Sequence, residues 1–287
     1  LVVAVISGKG GTGKTTLATN FAKVLSSTRK VQLLDADAEE PDVHLFFQVS
    51  KYYEEEVRLM LPVIDKEKCT LCGECARRCQ FGALSVFNTG VMVFNNLCHG
   101  CGLCFNICPE RAIVEMPKTI GRVELGRISD NLYHGMGILE IGEPSPVRII
   151  RALKKHIDPE KVVILDSPPG TSCPVVETLR KVDYALMVTE PTPFGLHDLK
   201  LALQIVREMK IPFGVVINRD GGAYSMIDEF ASEEKIEILE KIPFKREIAK
   251  AYSNGVLFTD VLPEWKERFE RLYEKILKSS EVVRCSR

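Results

Sequence analysis

Eight of the ten cysteines in this chain lie between Cys69 and Cys108, in two runs of one spacing. The runs are Cys69-x2-Cys72-x2-Cys75-x3-Cys79 and Cys98-x2-Cys101-x2-Cys104-x3-Cys108-Pro109. Three closely spaced thiolates suit three corners of an iron–sulfur cubane, and a remote fourth closes it. Tetrahedral zinc draws instead on separated C-x2-C pairs. A second chemistry opens the chain, where Gly8-Lys9-Gly10-Gly11-Thr12-Gly13-Lys14-Thr15 fits G-x-x-x-x-G-K-[ST]. Glycines let backbone N–H groups wrap phosphates, and the following helix N-terminus adds favourable partial charge. Lys14 then contacts the β- and γ-phosphates of ATP or ADP, the Thr15 hydroxyl ligates Mg²⁺, and Thr16 is placed for the α-phosphate. Two carboxylate sites accompany the loop, Asp35-Ala36-Asp37 and Asp166. Asp166 suits holding Mg²⁺ through water and Asp37 suits orienting an attacking water.

These residues need strands and helices to aim them. Near-continuous apolar runs predict strands over Leu1–Ser7, Val31–Asp35, Gly137–Ile141, Val162–Asp166, Tyr184–Thr189, Phe213–Asn218 and Ile236–Glu240. Helical periodicity appears over Thr15–Leu25, Val147–His156, Val175–Lys181 and Leu196–Met209. The alternation predicts a doubly wound, mostly parallel α/β sheet, with Asp37 and Asp166 near strand ends that face the ligand crevice. Trp265, Phe269, Leu272, Tyr273 and Ile276 stand at helical spacing, as in a final helix docked on the core.

The cysteine-rich middle breaks this pattern. Each cysteine of the second run lies 29 positions after its counterpart, so the stretch is an internal repeat with approximate twofold character. The expected organisation is an ATPase domain of residues 1–62 and 117–287 with a small α+β insertion at 63–116. Residues 43–62 and 117–136 read as its connections.

A resemblance rests on these motifs. Gly8 to Thr16, with a lysine directly after the first glycine, resembles the deviant Walker A loop of the MinD, ParA, Mrp and nitrogenase iron-protein group. Asp166-Ser167-Pro168-Pro169-Gly170-Thr171-Ser172 is similar to the switch of Mrp-type ATPases, and Thr189–Leu196 and Ile242-Pro243-Phe244 also look familial. The whole chain looks like a MinD-superfamily P-loop ATPase with an inserted ferredoxin-like domain. The resemblance implies that Lys9 reaches a partner's nucleotide across a homodimer, and that Asp37 has its water-orienting role. Asn218 resembles the residue that reads the base edge, and also fits a plain strand-to-turn asparagine.

The cysteine runs are similar to those of bacterial two-cluster ferredoxins, where each fourth cysteine serves the other cluster. One [4Fe–4S] cluster would then take Cys69, Cys72, Cys75 and Cys108, and the other Cys98, Cys101, Cys104 and Cys79. Gln80 departs from the proline usual after the fourth cysteine, and His99 stands beside an already complete sulfur set. Cys173, seven residues after Asp166, matches the spacing of a bridging-cluster ligand in the nitrogenase iron protein, but also reads as a small buried hydrophobe.

The 287-residue chain has a formal net charge of -1, which gives no electrostatic case for nucleic acid. No apolar run reaches membrane-spanning length, and no leader-like segment opens the sequence, so a cytoplasmic location is expected. The function expected is a homodimeric ATPase that gates electron transfer to a redox partner. An Mrp-like cluster carrier delivering to a cluster-acceptor protein is the alternative, and a MinD-like positioning ATPase a third. No C-P-x-C motif supports the carrier, and no basic amphipathic tail supports positioning.

Overall fold

The computed structural model describes residues 1–285. In chain order its elements are β1 (Val2–Ile6), α1 (Lys14–Leu25), β2 (Val31–Asp35), β3 (Ser50–Ile64), α2 (Glu74–Arg78), β4 (Leu84–Phe87), β5 (Gly90–Val93) and α3 (Leu103–Ile107). There follow β6 (Ile113–Arg127), β7 (Leu132–Leu139), α4 (Val147–Lys154), β8 (Val162–Asp166), α5 (Cys173–Leu179), β9 (Tyr184–Thr189) and α6 (Pro193–Glu208). The last are β10 (Phe213–Asp220), α7 (Met226–Glu233), β11 (Ile238–Pro243), α8 (Arg246–Ser253), α9 (Phe258–Val261) and α10 (Trp265–Cys285).

The chain divides into two compact units, one of residues 1–54, 123–138 and 146 onward, the other of residues 55–122 and 139–145. The main sheet has the order β11-β10-β9-β1-β8-β2-β7-β6-β3. From β11 through β7 every pairing is parallel. Strands covered on both faces need apolar side chains throughout, and β1, β2, β8 and β9 are buried along almost their whole length. The β1 and β8 ends lie side by side, with Val5 opposite Asp166, and β2 places Asp35 opposite Asp166 from the other flank. Three chemistry-bearing loops therefore leave one edge of the sheet.

The final helix spends its apolar face inside this unit. Trp265, Phe269, Leu272 and Ile276 are buried, and the Phe269 ring meets Phe21 of α1 edge-on at 5.8 Å. The expected strand at Gly137–Ile141 is displaced to Leu132–Leu139, and that at Ile236–Glu240 to Ile238–Pro243. Tyr133 and His134 interrupt the apolar run of β7, yet His134 is buried. Residues 43–62 and 117–136 contain much of β3 and β6, each 15 residues long. Both run through the division and contribute residues to both units.

The second unit is small and keeps the sequence repeat in its backbone. α2 and α3 follow Gly73 and Gly102, both left-handed at φ 78° and 73°. Asp65 N–H donates to Ala112 O at 2.7 Å, and Phe94 N–H to Ala83 O at 2.8 Å. Those two bonds are related by the same 29-residue offset, so each half opens by bonding to the end of the other. β4 and β5 form an antiparallel pair with Leu84 opposite Val93.

Candidate functional site

The phosphate loop fills the turn between β1 and α1. Ser7 Oγ donates to Lys9 O at 2.6 Å, and Gly13 caps α1 in the left-handed region at φ 96°. A Cβ at Gly13 would stand 2.2 Å from Asn218 Nδ2, so the position excludes any side chain. Asn218 itself is buried and donates from Nδ2 to Thr12 O at 2.8 Å. A cavity of about 420 Å³ opens here, bounded by Gly10, Gly11, Gly13, Lys14, Thr15 and Thr16 of the loop. Asp37, Glu40, Asp42, Asn218, Arg219 and Lys245 also give it polar walls, and Phe244 and Tyr252 supply an aromatic one. Gly8, Lys9, Thr12 and Asp166 are outside this lining.

Beneath the loop sits a pair of fully buried carboxylates. Asp35 is satisfied by backbone: Oδ1 accepts from Asp37 N–H at 3.1 Å, and Oδ2 from Asp42 N–H at 3.0 Å and Val43 N–H at 3.1 Å. It thereby ties down the segment that carries Asp37 and Asp42. Burial, with Asp166 adding to it, pushes Asp35 well above the carboxylate range. Asp166 has no hydrogen bond of good geometry to either oxygen among the described residues. Burial pushes it up to about 7, although the nearby Thr15 hydroxyl and Lys14 pull the other way. Asp37 is raised to about 6, again by burial first, with Lys14 opposing. Orphaned buried oxygens are costly unless a cation meets them. An oxygen-only set of Asp166 and the Thr15 hydroxyl fits Mg²⁺, a hard cation that keeps several waters.

Lys9 turns away from the cavity and pairs with Glu190 at 2.6 Å. The same carboxylate takes Arg219 at 3.0 Å. Burial alone would raise Glu190, but Lys9 and Arg219 outweigh it and hold it below the usual carboxylate range. Arg219 adopts φ 57°, a strained value for a side-chain-bearing residue, immediately after Asn218.

In the second unit the cysteines surround two cavities. One, of about 20 Å³, is lined by Cys69, Cys72, Cys75 and Cys108, with Thr70 and Glu110 at its wall. The other, of about 290 Å³, is lined by Cys79, Cys98, Cys101 and Cys104, with an edge from Cys75. Thus the fourth cysteine of each run faces the cavity of the other run. Backbone donors repeat as well, with Ala83 N–H to Cys79 Sγ and Ala112 N–H to Cys108 Sγ both at 3.3 Å. Burial raises Cys75, and it pushes Cys104 up to about 11, with neighbouring thiols adding to both. Such thiols ionise when a cationic iron centre binds them, not by themselves. Among the described residues no three His, Cys, Asp or Glu side chains converge closely enough for a single metal ion. Four thiols around a cavity match the wider span of a cubane.

The two cavities differ around that common frame. Phe81 and His99 stack at 3.9 Å beside the larger one, where the repeat places Glu110 and Thr70 beside the smaller. Gly100, at φ 54°, would drive a Cβ to 2.5 Å from Leu59 Cδ1. Its counterpart Leu71 holds a similar φ of 57° and is exposed.

Sequence reasoning passed over Asp42, Glu190, Arg219 and Tyr252. Asp42 had a signal, an acidic residue closing the segment after Asp35-Ala36-Asp37. Glu190 lies in the familial-looking stretch Thr189–Leu196, but its pairing had no local signal, because its partner Lys9 is 181 positions away. Cys173 is exposed at the start of α5, contrary to its reading as a buried hydrophobe.

Residues 3–258 match the family described as the CobQ/CobB/MinD/ParA nucleotide binding domain. An uncharacterized protein of Methanocaldococcus jannaschii is 32% identical over 282 residues, covering 96% of this chain and 95% of its own. An iron-sulfur cluster carrier protein of Aquifex aeolicus is 26% identical over 285 residues, covering 88% of this chain and 60% of its own. The structure of the septum site-determining protein MinD with Mg-ADP from Pyrococcus horikoshii OT3 shares the fold with a TM-score of 0.57. That likeness comes at 19% identity and covers 96% of this chain and 95% of that one. No helix among the described residues is long and apolar enough to cross a membrane.

Proposed function

Because the chain belongs to the CobQ/CobB/MinD/ParA nucleotide-binding family, we propose that it is a Mg²⁺-dependent, homodimeric ATPase coupling nucleotide state to electron transfer through two [4Fe–4S] clusters to a partner protein. The observation that carries the reading is the grouping of the cysteines, four around each of two cavities, in a chain that also has a phosphate loop above an orphaned carboxylate.

On this reading Lys14 meets the β- and γ-phosphates and loop N–H groups wrap them. Thr15 and Asp166 hold Mg²⁺, which supplies neutralisation of phosphate charge when bound. Asp37 orients the attacking water and accepts its proton, since a carboxyl near 6 is poised for that exchange near neutral pH. Asn218 braces the loop through Thr12 O and leaves its carbonyl for a base edge. Lys9 crosses to a second copy by exchanging Glu190 for phosphate, both being anions. Residues 63–116 form the ferredoxin-like insertion, and its clusters would each take up and release one electron.

The test is anaerobic EPR of the reduced protein with and without ATP. A cluster spectrum that changes with nucleotide supports coupling, and an identical spectrum in both states rejects it. The carrier reading is favoured by the similarity to the Aquifex aeolicus carrier. Transfer of iron and sulfide to an apo acceptor, faster with ATP, would select it. Clusters saturated by cysteine that stay put would select electron transfer.

A further inference from the structure

Asp42 is a carboxylate that its own turn leaves unused. It stands at the N-cap position of the short 3-10 turn Val43–Phe46, yet its side chain makes no capping bond among the described residues. An N-cap residue ordinarily spends its side-chain oxygen on the turn it opens. Here the backbone is fixed instead, since Asp42 N–H and Val43 N–H both donate to Asp35 Oδ2, at 3.0 and 3.1 Å. The half-buried Asp42 lies in the wall of the nucleotide cavity with Lys14, Thr15 and Asp37.

Two carboxylates converge on one hydroxyl at this wall. Burial raises the Asp42 carboxyl, while the Thr15 hydroxyl and Lys14 beside it pull the other way. The same two groups oppose burial at Asp166. A threonine hydroxyl has one proton and satisfies one carboxylate at a time. Asp166 is fully buried, and among the described residues neither of its oxygens has a hydrogen bond of good geometry. Lys14 does not make up the shortage once its ammonium turns to the β- and γ-phosphates. Around Thr15 there are then more anionic oxygens than donors, a costly arrangement unless a cation meets them.

On the Mg²⁺–nucleotide reading above, which this inference requires, we propose that Asp42 is a second carboxylate of the cation site, holding Mg²⁺ together with Asp166 and Thr15. Phosphate and water oxygens complete such a set, as Mg²⁺ ordinarily requires. Asp35 is the positioning residue, because its grip on two N–H groups fixes the main chain that carries Asp42.

The experiment uses the full chain with ADP, and Mn²⁺ as the probe cation. Calorimetry gives the Mn²⁺ affinity of the ADP complex, and Mn²⁺ EPR counts the bound ion. Calorimetry in EDTA gives the affinity for metal-free ADP. Asp42→Asn keeps the side-chain shape and the backbone bonds to Asp35. It should weaken Mn²⁺ binding about tenfold, the range of one lost charged contact. It should not weaken metal-free ADP binding, because one anion fewer then faces the phosphates. Loss of both affinities together would make Asp42 a shaper of the loop and overturn the proposal, as would unchanged Mn²⁺ binding. Thr15→Ala and Asp166→Asn separate this inference from the reading beneath it. If they weaken Mn²⁺ binding and Asp42→Asn does not, only the role of Asp42 falls. If none of the three does, the Mg²⁺ reading itself falls.

Discussion

The nucleotide cavity and the cysteine cavities are assembled in opposite ways. Walls of the first come from the phosphate loop, the Asp37–Asp42 segment, Asn218 and the stretch around Phe244 and Tyr252. Those pieces meet only because parallel strands deliver their ends to one edge. The cysteine cavities are lined mostly from a short repeat whose two halves bond each other through matched backbone contacts. A site gathered from distant segments depends on the sheet. A site written into a local repeat depends on spacing, and its asymmetry comes from what surrounds the repeat.

If that contrast is right, damage to each site stays with it. Lys14→Ala should abolish ATP hydrolysis, since no other loop residue supplies a point charge to the β/γ-phosphates, while leaving iron content unchanged. Cys79→Ala should reduce iron from about eight to about four per chain and remove the cluster of Cys98, Cys101 and Cys104. Loss of the Cys69, Cys72 and Cys75 cluster instead would break the cross-pairing of the halves. Iron and sulfide analysis with EPR distinguishes the two.

A substitution beneath the gathered site should act at a distance from any phosphate contact. Asp35→Ala strands the N–H groups of Asp37, Asp42 and Val43. Losing several such bonds in a buried setting should cost about 2–3 kcal/mol. Denaturant unfolding should show that loss, and hydrolysis should fall with it because Asp37 is no longer held. Unchanged stability would mean that strand ends alone position the segment.

Asymmetry between the cysteine halves has a smaller expected effect. Gly100→Ala combines a left-handed φ with a contact at 2.5 Å to Leu59 and 2.9 Å to Met60 O. Leu71→Gly relieves the same backbone value at an exposed site, a gain of about 1 kcal/mol. The first variant should lose iron from the second cluster on mild heating, and the second should retain both. Equal iron retention by both variants would mean that β3 does not constrain the repeat.

The same contrast explains what could be read from the sequence. The cysteine spacing, the phosphate loop and the buried runs β1, β2, β8 and β9 are legible because each is a local pattern with one physical meaning. β3 and β6 were passed over as connections because Glu54, Glu55, Glu56 and Arg58 hide any apolar run in the first, and Pro117, Lys118 and Gly121 interrupt the second. β7 was misplaced because buried His134 and its two glycines look like a turn. Asp42 and Glu190 act through partners brought by the fold, Asp35 N–H acceptance in one case and Lys9 in the other. No window of sequence contains both members of the second pair.

The gathered site also stores a pH dependence that the repeat does not share. In the nucleotide-free protein Asp166 titrates near 7 and Asp37 near 6, both above the unfolded value of 3.8. The folded state therefore holds protons that the unfolded chain has released, and stability falls as pH rises from about 4 to 7. His134 has the opposite sign. Its folded value of about 4 lies below the unfolded 6.5, so its contribution grows as pH rises through that interval. The two tendencies oppose each other between about 4 and 6.5, and only the carboxylates act from there to 7. Thermal unfolding midpoints should thus decline from about pH 4.5 upward, because two raised carboxylates outweigh one histidine, and the decline should flatten toward pH 7 as Asp37 and then Asp166 ionise. His134→Phe should steepen the decline between about pH 4 and 6.5 by removing the opposing contribution, and saturating Mg-ATP should flatten it, because a bound cation keeps Asp166 ionised in the folded state. A midpoint that rises between pH 6.5 and 7 without nucleotide would show that Asp166 is already ionised, and that the pocket beneath the phosphate loop is less dry than its burial implies.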